Sequence, residues 1–182
     1  MPHIEEEVLS GPVKWARMVL IAGLAYWTWQ FARTPLSEDA MDAFLHLPNL
    51  IFHETGHLIF SPFGQFMTAL GGSLTQVLIP IVAAVAFVRQ GQPFGAAICA
   101  WWTGQNLVDL APYIADARAL QLVLLGGRTG AEVEGHDWEF ILTQLGIVHW
   151  DQTIGRIAHG FGMCIMVGAL VVAARTAMRK SE

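Results

Sequence analysis

The chain has 182 residues, 54% of them hydrophobic and only 14% charged, with a formal net charge of -5. Ordinary soluble domains carry roughly 25% charged residues, so this balance excludes a conventional soluble domain and indicates packed membrane helices. Part of the negative charge is Glu5-Glu6-Glu7, and the chain has no basic cluster of the kind that binds nucleic acid, which is excluded as a partner.

Two cysteines, Cys99 and Cys164, lie inside apolar stretches without CxxC spacing and read as small buried hydrophobes. Residues 1–12 form a polar tail, and 13–180 form a single membrane-embedded domain. Val13 to Phe31 is nearly continuous apolar sequence with Trp15, Trp27 and Trp29 near its ends, a first spanning helix retained as an anchor because no cleavage site follows it. A polar connection over 32–40 offers Ser37 as an amino cap. A helix starting near Pro48 and stopping at Phe60 has about 13 residues, too few to cross a hydrocarbon layer of about 30 Å.

Gln65 to Gln90 is the second span, weakened near one end by Gly71-Gly72-Ser73 and by Pro80. Phe94 to Leu110 is the third, ended by Pro112, and Tyr113 to Leu125 reads as an interfacial helix. A polar loop then runs from Gly126 to the triplet His136-Asp137-Trp138, followed by a small amphipathic helix from Glu139 to Leu145. Asp151 caps the last span, which reaches about Met178 with Gly155, Gly160, Gly162 and Gly168 as packing positions. The expected fold is therefore an all-α polytopic membrane bundle of about four spanning helices, a short helix before Phe60, and interfacial helices. Placing Lys14, Arg17, Arg89, Arg175, Arg179 and Lys180 in the cytoplasm and Arg33, Arg118, Arg128 and Arg156 outside satisfies the positive-inside rule.

The chemistry is concentrated in Ile51–Phe60, which reads HExxH within an apolar run. Four-residue spacing puts His53 and His57 on one helix face, where two imidazoles can share a metal ion. In zinc hydrolases of this pattern the following glutamate, here Glu54, takes the proton of the attacking water. Catalytic zinc sites use three protein ligands, so a third donor is required. The candidates are Asp109, Asp116, His136, Asp137 and His149, with His46 a local possibility that Pro48 separates from the helix. Asn106 and Gln76 read as interhelical hydrogen-bonding groups, and His149 and His159 as packed or interfacial histidines.

His-Glu-Thr-Gly-His in an apolar helix, followed some fifty residues later by Asn106 through Pro112 to Asp116-Ala117-Arg118, resembles the site-2 protease family of intramembrane zinc metallopeptidases. That resemblance matches Asn106 and Pro112 to the family's asparagine and proline, and Asp116 to its aspartate zinc ligand. Ala117 stands where that family has glycine, and nothing in the family pattern accounts for His136-Asp137-Trp138. The sequence thus leads to a membrane zinc peptidase of a bacterial inner (cell) membrane, acting on membrane protein or peptide substrates within the lipid bilayer. Glu54 is the expected catalytic base, and the expected Zn2+ ligands are His53 and His57 together with Asp116 and His136. Non-hydrolytic binding or transport of a divalent metal is the alternative, and Gly71-Gly72 with Gln76 would be the place for an extended substrate strand to pair.

Overall fold

A computed structural model describes residues 11–36, 45–125, 127–132 and 135–178. The expected cap at Ser37, the acidic triplet and the Arg179-Lys180 pair lie outside these residues. The described residues are helical, with a single isolated bridge between Val123 and Thr129. Six α-helices follow one another: α1 (Gly11–Arg33), α2 (His46–Phe60), α3 (Gln65–Arg89), α4 (Pro93–Ala115), α5 (Asp137–Gln144) and α6 (Asp151–Met178).

Of these, α4 is the most enclosed, because it packs against α3 on one side and α6 on the other. In turn α2 rests on α3 and α1 on α6, while the short α5 sits across α3 and α4. Small residues allow these approaches. At the α4–α6 crossing a Cβ on Gly104 would lie 2.6 Å from the carbonyl oxygen of Gly162, so only glycine lets the two backbones touch. The same device joins α2 to α3, where a Cβ on Gly56 would collide with the Gly71 carbonyl. Around the α4–α6 contact Phe31, Trp101, Val108, Met166 and Ala169 form the apolar core. The indole of Trp101 donates to Thr28 Oγ1 at 2.9 Å, an interhelical bond of the kind that contributes about 0.6–2 kcal/mol in membrane helices.

Two segments, Gln65–Arg89 and Val148–Met178, are long and apolar enough to cross a membrane. Both turn large apolar side chains outward, among them Val82, Val85 and Val88 on α3 and Ile157, Phe161 and Val171 on α6. Contiguous exposed apolar surface of this kind suits a lipid or protein partner more than water. At 15 residues, about 22 Å of helix, α2 is too short to cross.

Several local expectations are corrected. Pro112 does not end α4: the proline gives up one hydrogen bond, and the Asp116 N–H still reaches the Pro112 carbonyl at 2.9 Å. Residues 116–125 are turns and a bridge and form no interfacial helix. Asp116 explains why, since its Oδ1 accepts from the Gln121 N–H at 2.9 Å and its Oδ2 from the Leu122 N–H at 3.0 Å, folding the chain back on itself. Leu120 is held there at φ +54°, in the left-handed region that costs a non-glycine residue roughly 1–2 kcal/mol. Gly71-Gly72-Ser73 does not interrupt α3; all three residues are buried within it. Their backbone groups are therefore engaged in the helix and not available for strand pairing with a substrate. Finally α2 begins at His46, with Pro48 in its first turn where proline is tolerated, so His46 is a helical residue after all.

Candidate metal centre

On α2 the helical repeat brings His53 and His57 side by side, with ring centroids 4.9 Å apart. Each ring is oriented from behind through Nδ1: that of His53 bonds Gln76 Oε1 at 3.0 Å, and that of His57 bonds the Thr68 carbonyl at 2.8 Å. Both partners are on α3, so the α2–α3 contact at Gly56 and Gly71 is also what fixes the imidazoles. Gly72 supplies the remaining space, since a Cβ there would fall 2.6 Å from His53 Nε2 and 2.7 Å from His57 Cε1.

The two Nε2 atoms face one carboxylate. Asp137 Oδ2 lies 3.2 Å from His53 Nε2 and 3.3 Å from His57 Nε2. All three donor atoms lie within 4.8 Å of one another. A tetrahedral zinc ion with bonds of about 2.0–2.1 Å spaces its ligand atoms about 3.3–3.4 Å apart, and the two separations from Asp137 Oδ2 match that spacing. The donor set also fits, with two imidazoles whose Nδ1 atoms are already engaged and one carboxylate.

Asp137 is the first residue of α5, and several contacts place it. His136 caps the helix, its Nδ1 accepting from the Glu139 N–H at 3.1 Å. Trp138 donates from Nε1 to Ser73 Oγ at 3.1 Å, tying α5 to α3. Tyr113, near the end of α4, donates its hydroxyl to Asp137 Oδ2 at 3.2 Å and accepts from the Asp137 N–H at 3.0 Å. Burial raises the pKa of the Asp137 carboxyl, but hydrogen bonds from His53 and His57 outweigh it and hold the group below its ordinary value. Donating to Asp137 in turn raises His57 to about 9, against the opposing effect of burial.

Other predicted ligands lie elsewhere. Asp116 is occupied with the Gln121 and Leu122 amides, as described above. His136 Nε2 points toward Asp116 Oδ2 at 3.5 Å, too long for a hydrogen bond, and its ring lies 4.3 Å from that of Tyr113. Burial pushes the His136 imidazole below its ordinary value. Neither residue belongs to the cluster of donors around His53, whereas Asp137, one of the sequence candidates, does. Asp109 is buried and takes bonds from Gln76 Nε2 at 2.8 Å and Asn49 Nδ2 at 3.2 Å, with His46 Nδ1 3.0 Å from Oδ1. The His149 ring lies tilted beside Trp150, His159 Nε2 reaches the Phe31 carbonyl at 3.2 Å, and Asn106 donates to the Trp102 carbonyl.

A cavity of about 410 Å³ opens onto the cluster, lined by Glu54, His53, His57 and Asp137 on one side and by Val123, Leu124 and Leu125 on another. Glu54 is exposed to it, in the position that the HExxH spacing assigns to a base. No protein family, curated protein or solved structure matches this chain.

Proposed function

We propose that the protein is a membrane-embedded zinc peptidase whose metal is held by His53, His57 and Asp137. The observation that carries this reading is the convergence of three donor atoms within 4.8 Å of one another, with Glu54 lining the same open cavity. When bound, the ion would supply a water of lowered pKa and polarise the carbonyl under attack. Glu54 then accepts the proton of the attacking water on its carboxylate and returns it to the leaving amine nitrogen. Tyr113 holds Asp137 in place through Oδ2, while Gln76 and Thr68 keep both imidazoles turned toward the centre. Val123, Leu124 and Leu125 give the cavity an apolar wall against which an extended apolar peptide segment fits.

On this reading α1 and α4 cross the bilayer together with α3 and α6, both termini face the cytoplasm, and the host membrane is a bacterial inner membrane. The peptide bonds cleaved would belong to membrane proteins whose helices have unwound locally, because hydrogen-bonded helical carbonyls are shielded from attack. The test is the purified full chain in detergent. Wild type binds one zinc per chain and cleaves a membrane peptide; Glu54→Gln keeps the zinc and loses cleavage, and Asp137→Asn loses both. Cleavage by Glu54→Gln at the wild-type rate would sink the peptidase reading, and full zinc occupancy in Asp137→Asn would remove that ligand.

A further inference from the structure

A chain of buried side chains leads away from the metal centre and ends in groups whose polarity cannot be reversed. His53 Nδ1 meets Gln76 Oε1 at 3.0 Å, and Gln76 Nε2 donates to Asp109 Oδ2 at 2.8 Å. Asn49 Nδ2 donates to the same Oδ2 at 3.2 Å and to Gln105 Oε1 at 2.8 Å, and Trp102 Nε1 donates to Asn49 Oδ1 at 2.9 Å. His53, Gln76, Asp109 and Asn49 are at most 6% exposed.

We propose that Asp109 is a positioning residue that selects the metal-binding tautomer of His53 through the side-chain amide of Gln76. The inference rests on the metal centre proposed above. An imidazole that offers Nε2 to a cation carries its proton on Nδ1 and needs an acceptor there. A glutamine amide can present either face. Rotated by half a turn, Gln76 would offer its NH2 to His53 Nδ1, leaving the proton on Nε2, where it blocks the metal.

What decides the rotation is the far end of the amide. Both Asp109 oxygens face nitrogen groups, the amides of Gln76 and Asn49 at Oδ2 and the His46 Nδ1 at Oδ1, so Asp109 accepts the NH2 of Gln76 and turns Oε1 toward His53. The reversed amide would bring oxygen against oxygen at hydrogen-bond distance in a buried site. Asn49 adds a second constraint, because the Trp102 indole only donates and therefore fixes the Asn49 oxygen toward itself and the Asn49 NH2 toward Asp109. The donor-only Trp102 indole and the Asp109 oxygen that receives both amides thus set the direction of the Asn49 and Gln76 side chains. Asp109, which the sequence offered as a candidate ligand, acts on the metal from two residues away.

The test transplants the acceptor. In the full chain in detergent, zinc affinity is measured by competition with a chromogenic chelator for wild type, Asp109→Leu and the double variant Asp109→Leu/Gln76→Glu. Asp109→Leu should lose 10–100-fold in affinity, the usual cost of removing an outer-shell partner. The carboxylate that Gln76→Glu introduces accepts from His53 Nδ1–H in either rotation, so affinity in the double variant should return to within about threefold of wild type. If Asp109 only ties helices together, the double variant will be as weak as the single one, and the inference is overturned. A second measurement needs no variant: in zinc-loaded wild type labelled with 15N-histidine, His53 should show a protonated Nδ1, and an unprotonated Nδ1 overturns the proposal. Failure of wild type to bind zinc would overturn the metal centre itself, whereas unchanged zinc affinity in a folded Asp109→Leu would remove this inference alone.

Discussion

Gly72→Ala is the most local test of the centre, because it adds one methyl group and removes no hydrogen bond. Its Cβ would stand 2.6 Å from His53 Nε2, 2.7 Å from His53 Cδ2 and 2.7 Å from His57 Cε1. Ordinary contacts between such atoms are about 3.5–4.0 Å, so both rings would have to withdraw by roughly 0.8 Å or more. Metal–ligand distances tolerate about 0.2 Å. Neither ring withdraws freely, since Gln76 holds one Nδ1 and the Thr68 carbonyl the other. We therefore expect zinc affinity to fall at least about a hundredfold, equivalent to about 2.8 kcal/mol. The helix itself should persist, as alanine is favoured over glycine there by about 0.8–1.0 kcal/mol. Chelator competition on the purified chain measures the loss, with Gly168→Ala as the control because nothing lies within 4 Å of a Cβ at that position. Zinc affinity within threefold of wild type in a folded Gly72→Ala protein would refute the reasoning.

Asp116→Asn should leave zinc affinity within threefold of wild type, yet lower thermal stability by about 1.5–3 kcal/mol by weakening two amide-to-carboxylate bonds; a hundredfold loss of zinc would return Asp116 to the ligand set. The pH response follows from His57. Its folded pKa of about 9 lies above the ordinary 6.5, so the His57–Asp137 pair stabilises the metal-free protein fully below about pH 6.5 and loses that contribution as pH rises through 9. Zinc must displace the same proton, so binding between pH 7 and 8 should release about one proton and tighten about tenfold per pH unit. Titration calorimetry in two buffers of different ionisation enthalpy reads that proton, and identical heats would contradict it. Trp138→Phe, which deletes the Trp138–Ser73 bond that anchors α5, should weaken zinc binding several-fold and leave helix content by circular dichroism unchanged.

The helical architecture was legible because long apolar runs bounded by proline, glycine and polar clusters have few alternatives. The placement of His53, Glu54 and His57 around one cavity was legible because it depends on spacing within one helix. The third donor was harder. Asp137 was among the sequence candidates, but its distance from His57 along the chain carries no periodic signal, and the resemblance to a known motif drew attention to Asp116. What separates the two is local: Asp116 sits just past the end of α4, where its carboxylate folds the next residues back, while Asp137 opens a new helix. A useful signal did exist in the sequence. His136 followed by Glu139 has the spacing of an amino-terminal cap, which places the intervening Asp137 in a first helical turn. Gln76 and Asp109 were legible only as buried polar residues, since pairing between α3 and α4 depends on the register of two helices that no local pattern fixes.

The source of that third donor links access to chemistry. Residues 116–137 provide both the wall of the cavity, through Val123, Leu124 and Leu125, and its carboxylate, through Asp137. Among the described residues, polar ties from this segment and the start of α5 to the helices include the Tyr113 hydroxyl, the Trp138–Ser73 bond, the Arg118–Asp151 ion pair at 2.7 Å and the approach of Asp137 to both imidazoles. By contrast, His53 and His57 are carried on a helix whose backbone touches its neighbour directly at Gly56 and Gly71. The two imidazoles and the carboxylate thus reach the centre from different parts of the chain, the first two on α2 and the third at the start of α5. A metal ion held by His53, His57 and Asp137 would tie the start of α5 to α2, so metal binding and the docking of α5 beside α2 would favour each other by the same free energy.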